Sequence, residues 1–162
     1  MQTKRSGFTL TEVMIVIAII GLILATLTPK VRTIREGSNL RAAKDAVATA
    51  LGTARAAAIQ KGNTATFHLG TDNSVMVDAL SNGATIPIMP KRSLGDLYGV
   101  SISPRTSAGL ASPGDTVIKF DLRGFGSTPS TGRVMYLITL GTRSDTICVT
   151  TYGLILKRGC AT

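Results

Sequence analysis

The chain has 162 residues and a formal net charge of +9, with 17 Gly, no Trp and only 4% aromatic residues. One histidine, His68, and two cysteines argue against a Ser-His-Asp triad, a two-histidine metal centre or a four-ligand structural zinc site built by this chain alone. No phosphate-cradling GxxxxGKS stretch is present either, so enzyme classes lose their usual carriers.

Residues 4 to 30 read KRSGFTLTEVMIVIAIIGLILATLTPK: two basic residues, a glycine, then a long apolar run. Phe8 to Thr28, as a helix rising about 1.5 Å per residue, spans roughly 31 Å, about the hydrocarbon thickness of a bilayer. From Val13 to Leu27 there is no charge, but Glu12 sits near the start. A carboxylate in such a helix costs about 2 to 3 kcal/mol at the bilayer centre and less near an interface, so it calls for a partner. The plain alternative is an acid that caps the helix dipole. A secretory signal places its cleavage site after the apolar run. Here the processing point, between Gly7 and Phe8, lies before it, and cutting there leaves the apolar helix on the mature chain.

On these residues the chain resembles the type IV pilin superfamily: a short basic leader, Gly7, then FTLTEVMIVIAIIGLILA, with Glu12 fifth and Pro29 twenty-second after the cut. The resemblance implies that a prepilin peptidase cleaves after Gly7 and methylates the new amine of Phe8. It implies a mature helix stored in the inner membrane, with the leader cytoplasmic, that later packs against other pilins or pseudopilins in a filament. Glu12 and Pro29 are then the assembly residues. Glu12 is tolerated in a filament core when an opposite charge offsets its desolvation, the Phe8 amine being the natural candidate. Pro29 lacks an N–H, so a kink is expected there. Charge alone does not orient the span, since Lys4 and Arg5 flank one end and Lys30, Arg32 and Arg35 the other.

After Pro29, apolar residues recur at helical spacing at Val31, Ile34, Leu40, Ala43, Val47, Leu51, Ala54 and Ala58. The spacing predicts one helix over 8–61, about 80 Å long, ended by Gly62-Asn63. Arg32, Arg35, Arg41, Lys44 and Arg55 fall mostly off that stripe, on the surface. Short strand-like runs follow at 64–69, 74–79, 85–89, 100–103, 116–121, 134–140, 146–151 and 154–158. Gly70-Thr71-Asp72-Asn73 reads as a hairpin turn and 122–132 as a longer loop, while alternation puts His68 on a solvent face. The fold expected is α+β and pilin-like: leader 1–7, a long helix 8–61 whose residues 8–28 span the membrane, and a periplasmic antiparallel β-sheet head over 62–162.

Within the superfamily, VIKFDLRGFG at 117–126, ICVTTYG at 147–153 and a terminal strand resemble the GspH/FimT group of minor pilins and pseudopilins. DNA-binding members of that group carry Gly-Arg-x-Arg in the last strand. This chain departs from it: Leu154, Ile155 and Leu156 separate Gly153 from Lys157 and Arg158. Those two basic residues are the nearest match. Of the net charge, residues 1–61 hold nine Lys and Arg against three acids, and residues 62–162 nine against six, so most of the excess lies outside the head. DNA is therefore a disfavoured partner. In an exported domain Cys148 and Cys160 are expected to pair, closing a loop of about 13 residues. The sequence thus predicts a non-enzymatic minor pilin or pseudopilin without cofactor or metal, which helps initiate or cap a type IV pilus or a type II secretion pseudopilus. The alternatives are a DNA receptor for natural transformation and an abundant major pilin.

Overall fold

The computed structural model describes residues 7–106, 109–110, 116–127 and 133–157, and the side chains of 26–32, 106 and 109–110 also lie outside the description. A single helix, α1 (Leu10–Lys61), is followed by three strands, β1 (Ala65–Leu69), β2 (Ser74–Ser81) and β3 (Ala84–Ser93), and a short helix, α2 (Leu94–Tyr98). Then come β4 (Ser101–Thr106), β5 (Gly109–Leu110), β6 (Val117–Phe120), β7 (Gly126–Ser127), β8 (Val134–Leu140), β9 (Arg143–Val149) and β10 (Ile155–Leu156). The chain divides into two compact units, Met1–Glu36 and Gly37–Thr162, so α1 belongs to both. The helix starts two residues later than expected and is assigned helical through Pro29 without a break.

In the larger unit the strands form two antiparallel sheets, of order β3-β2-β1-β6-β7 and β10-β9-β8-β4-β5. Alternation explains which faces are buried. Ala65, Phe67 and Leu69 point inward from β1, and Val134, Tyr136 and Ile138 from β8. The α1 stripe of Ala43, Val47, Leu51, Ala54 and Ala58 completes a single core. Its alanines permit close approach of helix and sheet. Phe67 and Tyr136, from different sheets, meet edge to face with ring centroids 5.8 Å apart. Burying a ring such as Phe67 contributes about 2 to 3 kcal/mol.

The helix terminus is chemically determined. Gly62 adopts φ 60°, and Asn63 N–H donates to the Ala58 carbonyl at 3.1 Å, a left-handed glycine cap as Gly62-Asn63 predicted. The expected turn at 70–73 forms too: Gly70 N–H donates to Ser74 O at 2.8 Å. Within it Asn73, at φ 56°, does more than turn the chain. Its Oδ1 accepts from Ile102 N–H at 2.8 Å and its carbonyl from Leu94 N–H at 3.0 Å, tying the β1–β2 corner to β4 and α2. Ser81-Asn82-Gly83-Ala84 closes β2 on β3 with φ 51° and 78° at the two central residues, which extends both strands beyond their predicted ends. Pro87 and Pro90 are accommodated because β3 is an edge strand.

Several expectations are corrected. The loop 122–132 contains β7, paired with β6. The last two predicted strands shift to 143–149 and 155–156. The apolar stripe begins at Leu40, since Ile34 is 70% exposed. Lys44 is not a surface residue: its side chain is 12% exposed and pairs with Asp145 of β9 at 2.6 Å. Arg55 is likewise drawn in, with a buried Nε. His68 is half-buried, its Nε2 3.4 Å from Asp78 Oδ2 across the strand pair.

Candidate assembly site

The N-terminal end of α1 is built by local hydrogen bonding. Thr9 is the cap: its carbonyl accepts from Glu12 N–H at 3.1 Å and Val13 N–H at 3.3 Å, and its Oγ1 accepts from Glu12 N–H at 3.3 Å. Glu12 occupies the third helical position, where Thr-x-x-Glu would form a reciprocal capping box. Only half of that box is made: the hydroxyl side is present, and the Glu12 carboxylate has no ion pair or hydrogen bond among the described residues. Glu12 thus lies in the first turn, where the helix dipole favours an acid, with its carboxylate unused.

Among the described residues of the smaller unit, nothing covers this helix. Phe8 is 82% exposed, and Met14, Ile17, Leu22 and Leu24 all stand in the open. Phe8 leans toward the Glu12 face, where Glu12, Val13, Val16 and Ile17 line a shallow recess with it. Among the described residues no helix is long and apolar enough to cross a membrane. The described apolar side chains of α1 end at Ala25, so 26–28 of the expected span 8–28, and the side chain of Pro29, lie outside the description.

The other predicted residues lie in the head. Cys148 is fully buried on β9, opposite Leu156 of β10 and Met135 of β8. Its expected partner Cys160, and Arg158, lie outside the described residues. Lys157 is at the end of β10, and its Nζ donates to Asp45 Oδ1 at 2.7 Å, fastening the last strand to α1. That ion pair engages one of the two basic residues, Lys157 and Arg158, nearest to the expected DNA-binding element. Lys91 is similarly paired to Asp72 at 2.8 Å, and Arg92 donates to Tyr98 Oη at 3.3 Å.

These ion pairs set a pH dependence. Hydrogen bonds from Lys91, and then from Ser74, hold the Asp72 carboxyl at about 2, and Lys157 lowers that of Asp45. Both folded values lie below the unfolded value of about 3.9, so their stabilisation is present above pH 4 and is lost as pH falls through each folded value, about 2 for Asp72. Urea midpoints should therefore drop between pH 5 and 2.5, and the drop should be smaller in Asp72→Asn. An identical pH profile in the variant would remove Asp72 from the account.

Sequence reasoning missed α2, although its signal was legible. Ser93 caps it by accepting Asp96 N–H at 3.2 Å, and Gly99 ends it at φ 70°. It read a loop at 122–132 but missed its contact with 150–154, where Phe125 and Tyr152 meet edge to face with centroids 6.3 Å apart.

Residues 2–28 match the family model described as the prokaryotic N-terminal methylation motif. Two crystal structures of the type IV minor pilin FimU from Pseudomonas aeruginosa share the fold. One has a TM-score of 0.58 at 13% identity, covering 78% of this chain and 92% of FimU. The other has a TM-score of 0.54 at 12% identity, covering 74% and 93%. No curated protein matches the chain. The chain is thus type IV pilin-like in fold, with a prokaryotic N-terminal methylation motif ahead of its head.

Proposed function

We propose that this protein is a non-enzymatic structural subunit, a minor pilin or pseudopilin that helps initiate or cap a type IV pilus or type II secretion pseudopilus. It is held in the bacterial inner membrane by residues 8–28 with its head in the periplasm. A prepilin peptidase removes residues 1–7 and methylates the Phe8 amine. The observation that carries this reading is the methylation motif at residues 2–28, set on a helix whose described apolar side chains up to Leu24 stand exposed. A helix exposing apolar side chains all round is unstable in water and needs lipid or other helices as its surroundings. Glu12 then takes its partner from assembly, the Phe8 amine of its own or a neighbouring chain.

Mass spectrometry of the protein from cells that hold the peptidase should find a chain beginning at a methylated Phe8. A chain still beginning at Met1 in those cells would end the pilin reading.

A further inference from the structure

The end of the head at which α1 enters carries unpaired arginine. Gly37 and Lys44, on one face of α1, receive Arg143 and Asp145, on one face of β9. Arg143 Nη1 lies 2.9 Å from where a Cβ on Gly37 would stand, and Lys44 pairs with Asp145 at 2.6 Å. Asp145, the one acid of β9, is thereby engaged, so Arg143, though set against the helix, has no ion pair among the described residues. Arg41, one turn beyond Gly37, and Arg35 are exposed and likewise without an ion pair among those residues. Sequence sets more charge beside them: from Pro29 to Arg41 stand Lys30, Arg32, Arg35 and Arg41 against a single acid, Glu36.

Anchored chains usually keep their basic residues on the cytoplasmic flank of the span. Cleavage after Gly7 reverses that order, because it removes Lys4 and Arg5 and leaves every basic side chain beyond the apolar run, on the side of the head. What a bilayer presents there is the phosphate layer of its lipid headgroups. The nine residues from Thr28 to Gly37 rise about 14 Å as a helix, of which headgroups occupy about 6 Å beyond the hydrocarbon. The Debye length at physiological salt is about 8 Å. Whatever the angle between the two units, so short a tether keeps Arg143 within the field of lipid phosphates, which a guanidinium grips by paired hydrogen bonds. We propose that Arg143 and Arg41, aided by the charge of the basic run before them, bind anionic phospholipid at the periplasmic surface of the membrane and hold the head there. This rests on the membrane-anchored reading above and adds a ligand for the head.

The test uses the full chain reconstituted into vesicles of phosphatidylcholine, with or without phosphatidylglycerol, and a photo-crosslinking amino acid in place of Thr142, the exposed residue before Arg143. Lipid crosslinks should be at least about fivefold more abundant with phosphatidylglycerol, and that excess should vanish at high salt. Arg143→Gln with Arg41→Gln should lose the same factor. Arg143→Lys with Arg41→Lys should keep most of the yield, because the attraction to a charged surface survives the exchange. Both arginines are exposed, so these variants leave the core as it is. The same probe at Gln60, near the other end of α1, should find little lipid in either vesicle. Equal yields in the two lipids, equal yields at Thr142 and Gln60, or a yield unchanged in the Gln pair overturn the contact. Flotation of the vesicles is read alongside: a chain that floats with both lipids but shows no excess refutes this contact alone, and a chain that floats with neither refutes the anchorage on which it rests.

Discussion

Glu12→Ala is expected to leave protein level, membrane insertion and cleavage near wild type while reducing the amount of this protein in sheared filaments by about tenfold or more. The physical reason is the charge left behind. With Ala at position 12, the Phe8 ammonium enters an apolar filament core unpaired, and an uncompensated buried charge costs about 3 to 5 kcal/mol. The head is expected to be untouched, since Glu12 is not one of the core residues that hold the two sheets to α1. The measurement is this protein in filaments relative to membranes, for wild type and variant. Equal ratios would reduce Glu12 to a dipole-favoured acid behind Thr9, the role its half-made capping box already permits.

Replacing Cys148 and Cys160 together by Ala is expected to lower the unfolding free energy of the oxidised protein by about 3 kcal/mol, the chain-entropy value for a loop of about 13 residues. Cys148 is fully buried, and β10 is held to β9 by two residue pairs and to α1 by Lys157–Asp45. So short a strand depends on other restraints. Denaturant unfolding of the full chain in detergent, with and without reductant, reads the effect. Wild type and the double variant should converge when reduced. Two free thiols in exported protein, found by non-reducing peptide mapping, would dismiss the bond.

Legibility in the sequence followed the range of the interactions. The helix to Lys61, the Gly62 cap, the turn at 70–73 and the strand 134–140 were all readable, because periodicity and a left-handed glycine or asparagine act over a few residues. Glu12 was readable for the same reason, as one charge in a long apolar run. The expected placement of Lys44 failed because its partner Asp145 is 101 residues away, and no local pattern announces an ion pair between a helix and β9. Lys157 was read as part of a basic element because sequence cannot show that Asp45 reaches it.

By itself, then, the sequence determined the methylation motif at residues 2–28, the apolar helix with its single acid, and the α+β order of elements. Each of these depends on neighbours in the chain. Tertiary structure decided that the strands divide into two sheets around one core, that Asn73 joins β4 and α2 to a turn, and that loops 121–126 and 150–154 meet over Arg55. Those outcomes rest on burial and on hydrogen bonds between residues far apart in sequence. Which distant groups meet is settled only when the whole core packs, since close-packed interiors admit few arrangements.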